Sequence, residues 1–315
     1  MQALLNNFIG ETTKADINVN YVQIWEKNQL AAWYQRVSTK ARLNMWSVSK
    51  GFVSCAAGIA ISENLLDLKE KIVDIFPEYV PENASEYLKS VTIEHLLTMT
   101  SGLASPLFFA DSREFYEEQD WIAYFFHASF EQKPGTVWLY SNFNTYMVSC
   151  AIEKRAGMNL TEYLTPRLFT PLGIGNPIWT CCPKGHVHAA NGLYLNIDEL
   201  SAYGKMLLNK GSYQGRKIVP ENYIEKAASK IIDNSEQKNE KQVCKGYGYG
   251  YQFLMNPEEG SFRSDGKYGQ YCLVYPEKEV VIAIMSFEEN TDLLEKLIWE
   301  NIIRHICKAD KNVRV

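Results

Sequence analysis

The strand-forming segments of this chain sit at its two ends, and that separation limits the fold more than any other feature. Val19-Asn20-Tyr21-Val22-Gln23-Ile24-Trp25 and Leu30 to Val37 are rich in β-branched and aromatic residues. The polar Glu26-Lys27-Asn28-Gln29 between them reads as a hairpin turn. Its expected sheet partners lie at the far end: Tyr249 to Met255, Gln270 to Tyr275 and Glu279 to Ser286, the last two joined across Pro276. Leu293 to Cys307 repeats apolar residues at helical spacing and closes the chain as an amphipathic helix. The middle is helical in pattern over Thr92–Thr100, Tyr146–Ala156, Leu160–Leu168 and Asp198–Leu208, with breaks at Pro77, Pro81, Gly102, Pro134-Gly135, Gly157 and Pro171. A helical lobe inserted into an α/β lobe follows, with the polar Asp233–Gln242 as an exposed connection back to the sheet.

At 315 residues and 46% hydrophobic content the chain can bury a large core. A formal charge of -5 and a pI near 5.7 give no basic footprint for nucleic acid, and no polybasic run marks a membrane anchor. The first residues lack a secretory signal, and no apolar run is long enough to span a bilayer, so the expectation is a cytoplasmic protein. Seven cysteines, an odd number spread along a long chain, fit reduced thiols better than a disulfide framework.

Ser-x-x-Lys occurs three times, at Ser47, Ser235 and Ser264. The second lies in the polar connection and the third crosses a glycine at a strand start, so neither has a helix to align its ends. After Ser47 and Lys50 the run Gly51 to Ile61, apolar and rich in small residues, reads as a buried helix. Helical spacing puts Ser47 and Lys50 on one face and Ser49 on the other. A serine hydroxyl needs a base to attack a carbonyl, and a lysine beside apolar walls can lose its proton and become one. The alternative is a serine N-cap followed by a snorkelling lysine.

Tyr140-Ser141-Asn142 lies at a strand-like-to-helix junction, where Tyr140 can relay a proton and Asn142 can donate to a substrate carbonyl. A core tyrosine with a helix cap is the alternative. In the similar Tyr194-Leu195-Asn196, Asn196 precedes a helix and reads as a cap. Ser264-Asp265-Gly266 leads into a strand. There Gly266 lets a substrate approach the backbone and the amide of Lys267 can face an oxyanion, or the triplet is an ordinary glycine turn. Cys181, His186 and His188 offer zinc-type donors, but their spacing matches no usual pattern, and His95 reads as a packed, hydrogen-bonded helix residue.

Taken in order, the three motifs resemble the β-lactamase-related serine hydrolase family, which includes class C β-lactamases, D-alanyl-D-alanine peptidases and carboxylesterases. Val91 to Leu103, Arg167 to Ile174 and Gly192-Leu193-Tyr194 with Asp198 resemble further signatures of that family. The resemblance implies an α/β (α+β) fold, an antiparallel sheet flanked by helices plus a mostly helical lobe. It places 1–60 and 243–315 in one discontinuous lobe, 61–242 in the other and the active site between them. Ser47 is implied as the acylated nucleophile, with Lys50 and Tyr140 sharing its proton and Asn142 orienting the substrate. Ser264, Gly266 and Lys267 are implied to line the site, the amides of Ser47 and Lys267 forming the oxyanion hole. Family members carry Lys-Thr-Gly or His-x-Gly where this chain has Ser264, which leaves Arg263 or Lys267 to supply the missing cation.

The expectation is a serine hydrolase without metal or cofactor, acting on a small-molecule ester or amide. The rival readings are a D-amino-acid peptidase or amidase, a β-lactamase, a catalytically silent binding module of the same fold, and a zinc enzyme using Cys181, His186 and His188.

Overall fold

Residues 280–286 read Val-Val-Ile-Ala-Ile-Met-Ser, an unbroken apolar run of the kind that fits a strand covered on both faces. The computed structural model, which describes residues 1–107, 117–237 and 243–308, places this segment at the heart of the protein. The elements that position the site are α1 (Gln2–Lys14), β1 (Val19–Glu26), β2 (Gln29–Gln35), α2 (Ser49–Ser62), α3 (Asn142–Ala156), α4 (Ile197–Leu208), β3 (Leu254–Met255), β4 (Phe262–Gly266), β5 (Gln270–Tyr275), β6 (Val280–Ser286) and α5 (Thr291–Ile298). Six strands form one antiparallel sheet in the order β2-β1-β6-β5-β4-β3, so the two chain ends meet where β1 pairs with β6.

The pleat divides β6 between two cores. Val280, Ile282 and Ile284 point to a layer built with Leu5 and Phe8 of α1, Leu294 and Ile298 of α5, and Ile302 beyond it. Val281, Ala283 and Met285 point the other way, into a larger core shared with α2, α3 and α4. Each fully buried aliphatic contributes about 1.5–3 kcal/mol. A helix-sheet-helix sandwich results.

At the edge of the sheet, Gln2 of α1 takes the N–H of Trp33 (3.1 Å) and donates to its carbonyl (3.2 Å), occupying the free side of β2 at that residue.

Two expected elements are shorter than their sequence pattern. The strand over 249–255 reduces to Leu254–Met255, because Gly250 N–H bonds Phe253 O at 2.9 Å and turns the chain between them. The helix over 92–100 ends at Leu97, with Met99 in left-handed backbone. The Ser235 copy of the Ser-x-x-Lys motif ends at Lys238, outside the described residues. No helix among the described residues is long and apolar enough to cross a membrane.

Candidate active site

The chain reaches Ser47 from a short strand, Leu43–Asn44, paired with Leu193–Leu195. Met45 N–H bonds Leu193 O at 2.8 Å and Trp46 N–H bonds the side chain of Asn44 at 2.9 Å. Trp46 is forced to φ 47, an uncommon conformation for a large side chain. The sharp bend sets Ser47 in a single 3-10 turn directly ahead of α2. Val48, not Ser47, occupies the N-cap of α2, and it makes no side-chain cap bond, so the capping alternative for Ser47 does not hold.

Lys50 is buried, and its Nζ lies 2.8 Å from Ser47 Oγ and 3.0 Å from the carbonyl of Ala190. Burial depresses its pKa from 10.5 to about 7, with Asp265 acting in the opposite direction. Ser49 faces away, as its spacing requires, and accepts the N–H of Leu193 at 3.4 Å.

The Tyr140 ring stands 4.8 Å from Lys50 Nζ, on the same side of the turn as Ser47. Burial pushes this phenol well above its usual range, against the pull of Ser47 and with the help of Asp265, so it stays protonated at neutral pH. Of Lys50 and Tyr140, only Lys50, which touches Ser47 Oγ, is therefore poised to accept a proton near pH 7. The rings of Trp138 and Tyr249 hold Tyr140 from behind, with centroids 5.9 and 6.4 Å away. His188 has its pKa lowered to about 4 by burial and by Lys50, which leaves a neutral ring.

The second motif divides its labour. Ser141 is the N-cap of α3, accepting from Phe143 N–H at 3.3 Å. Asn142 is the first residue of α3 and is buried. α2 and α3 pack against each other, which brings the two motifs together. Asn196 caps α4 by accepting from Asp198 and Glu199 N–H, as its sequence context suggested, and His95 accepts from Thr92 N–H in a capping box.

β4 brings the third motif against the turn that carries Ser47. A Cβ on Gly266 would stand 2.4 Å from Met45 O and 3.2 Å from Ser47 N, so only glycine lets the strand approach the serine's amide. Ser264 is buried, with its Oγ 3.5 Å from the hydroxyl of Tyr203. Both fill space beside Gly51, where a Cβ would meet Tyr203 at 2.1 Å and Ser264 at 2.9 Å.

Strand alternation turns Arg263 to the opposite face. It is fully buried there, bonded to Asp265 (2.9 Å), Met255 O (3.0 Å) and Asn256 (3.2 Å). It cannot replace the family's cation. Lys267 is exposed on the turn after β4, its Nζ 5.9 Å from the Trp46 ring and 5.2 Å from that of Tyr268.

Sequence reasoning overlooked Ala190, Tyr203 and Gly51. A carbonyl acceptor such as Ala190 O has no residue-type signature, whereas the glycine directly after Lys50 was a readable sign of close packing. Cys181, His186 and His188 do not gather. Cys181 is exposed, His188 lies edge-on to Trp121 at 5.1 Å, and His186 pairs with Glu153.

A family model described as Beta-lactamase matches residues 8–303. The N-acetylmuramyl-L-alanine amidase of Bacillus subtilis is 18% identical over 332 aligned residues, which span 87% of this chain and 74% of that protein. A provisionally assigned 6-aminohexanoate-dimer hydrolase from Bacillus anthracis superposes with a TM-score of 0.77 at 19% identity, covering 96% of this chain and 82% of the other. For a family VIII carboxylesterase the TM-score is 0.70 at 14% identity, over 95% and 97% of the two chains. At such identities the structural likeness is one of fold, and it agrees with the α+β architecture expected from sequence.

Proposed function

The chain belongs to the Beta-lactamase family, and from that premise we propose that it is a serine hydrolase that forms an acyl-enzyme on Ser47 and hydrolyses a small ester or amide. One observation carries the reading: a buried lysine amine with a pKa near 7 stands 2.8 Å from the hydroxyl of Ser47. The neutral amine takes the Ser47 proton as Oγ attacks the carbonyl carbon. The amides of Ser47 and Lys267 receive the oxyanion, the proton now on Lys50 passes through the Tyr140 hydroxyl to the leaving group, and water, giving its own proton to Lys50, then releases the acyl chain and restores Ser47. Asn142 holds the substrate's polar edge.

The pocket side of β4 presents Ser264 where the family has a cation, and Arg263 is committed elsewhere. This favours a substrate that is uncharged near its scissile bond over one recognised by a carboxylate. Amide cleavage is kept beside ester cleavage because the B. subtilis relative is named an amidase, and one structural neighbour a carboxylesterase. The test is intact-mass measurement after a fluorophosphonate probe. Wild type should gain one adduct and Ser47→Ala none, and equal labelling of both would remove Ser47 from its role. Turnover of p-nitrophenyl esters, a chromogenic cephalosporin and D-alanyl peptides then separates the substrate classes.

A further inference from the structure

A second group of chemically able side chains lies between α3 and the segment 180–190. Cys150 and Glu153 sit one turn apart on α3. His186 comes from a tight turn closed by Gly185 N–H to Cys182 O (2.9 Å) and Cys182 N–H to His186 O (2.8 Å). The Cys150 sulfur, a Glu153 carboxylate oxygen and a His186 ring nitrogen all lie within 4.8 Å of one another. They line an open cavity of about 410 Å³ together with Lys184 and Asn159.

The carboxylate is already aimed. Its Oε1 accepts the backbone N–H groups of Leu160 (3.0 Å) and Val187 (3.3 Å), which leaves Oε2 facing His186 Nδ1 at 2.5 Å. Outer bonds of this kind orient first ligands in metal centres. Thiolate, imidazole and carboxylate together form the donor set of a borderline-soft cation, and three protein ligands with an open fourth position is a common zinc arrangement. Tetrahedral bonds of about 2.0–2.3 Å hold ligand atoms roughly 3–4 Å apart, so the His186–Glu153 pair opens by about 1 Å to admit the ion while the widest separation, within 4.8 Å now, closes by about 1 Å.

We propose that Cys150, Glu153 and His186 form a zinc site. When the Zn–S bond forms, the Cys150 thiol releases its proton to solvent. Glu153 binds as a carboxylate, and His186 binds through a ring nitrogen that carries no proton. One proton leaves per ion, and two negative ligands neutralise the dication, as a half-buried position requires. The fourth position faces the cavity and takes water.

The ion would clamp 180–190 onto α3. That segment ends at Ala190, whose carbonyl holds Lys50 Nζ, and α3 begins at Asn142. The ligands differ from the Cys181, His186, His188 set that the sequence suggested, and the site carries no step at Ser47.

Calorimetric titration of chelator-treated protein with Zn²⁺, run in two buffers of different protonation enthalpy, gives both stoichiometry and proton release. One ion per chain and about one proton released are expected. Cys150→Ser and His186→Gln should each weaken binding by at least about tenfold, with Cys181→Ser unchanged. His186 is partly exposed, so His186→Gln tests the site even if the buried serine variant fails to fold. Absence of stoichiometric binding, wild-type affinity in His186→Gln, or loss in Cys181→Ser with retention in Cys150→Ser would each overturn the assignment.

Discussion

Replacing Lys50 by methionine keeps the length and apolar stem of the side chain and removes only the amine, and it should separate stability from activity. The folded pKa of Lys50 is about 7 and its ordinary value 10.5. Between these limits the unfolded chain holds a proton that the folded chain has given up. Wild-type stability therefore rises with pH across this window, by about 1.4 kcal/mol per unit from this group alone. The contribution is complete above pH 10.5, falls as pH drops toward 7, and is flat below.

Integrated over the window it amounts to about 5 kcal/mol, an upper bound. Methionine has no such slope. Set against that is the loss of the amine's bonds to Ser47 Oγ and Ala190 O, each about 1 kcal/mol. The variant should then match or exceed wild type in stability at pH 7.5 and fall progressively behind by pH 9.5, while its rate of acylation drops about 10²- to 10⁴-fold. Urea denaturation of both proteins at pH 7.5, 8.5 and 9.5, with fluorophosphonate labelling rates at pH 7.5, makes the measurement. Parallel stability curves would mean that Lys50 remains an ammonium ion throughout, and the argument for it as base would fail.

Wild-type labelling should itself rise with pH to a plateau, with a midpoint near 7 set by Lys50, and a rate independent of pH between 6 and 8 would contradict this. Tyr140→Phe keeps the ring against Trp138 and Tyr249 but removes the hydroxyl beside Ser47 and Lys50. It should slow ester turnover about 10²-fold with little change in melting temperature. Gly51→Ala places a methyl where Tyr203 and Ser264 now sit, and the overpacking should cost about 1–3 kcal/mol in denaturant titration, despite alanine's better helix propensity. Ile282→Ala, in the middle of β6, should lose about 2–5 kcal/mol by the same assay, and a smaller loss would mean that the two-sided core is looser than described.

The N-terminal hairpin and the strands at Gln270–Tyr275 and Val280–Ser286 were legible because β-branched and aromatic residues cluster there between turn residues. Ser47 and Lys50 were legible as a pair because helical spacing fixes which side chains share a face. α1 escaped notice. Its buried Leu5 and Phe8 are set among Asn, Gln and Thr, and only docking against the sheet makes that sequence a stable helix.

The side of β4 on which Arg263 falls was equally hidden. In a strand a one-residue change of register reverses every side chain, and nothing in Phe262-Arg263-Ser264-Asp265-Gly266 states the register. The meeting of Cys150 and Glu153 with His186 depends on how a loop folds back on a helix far away in the chain. The adjacent Cys181 and His188 drew attention because they were near in sequence, although their side chains do not join the group.

The glutamine near the start of α1 acts as a guard on an open border. By satisfying both the donor and the acceptor of Trp33, Gln2 denies a neighbouring molecule the place where a seventh strand would begin to zip on, and Trp33 itself is more than half exposed there. A purification tag fused at this end, or a trim that displaces that one amide, would leave a tryptophan-bearing ribbon free to recruit its like. Clumping of such a preparation would then reflect a lost bolt at the margin while the interior stayed sound.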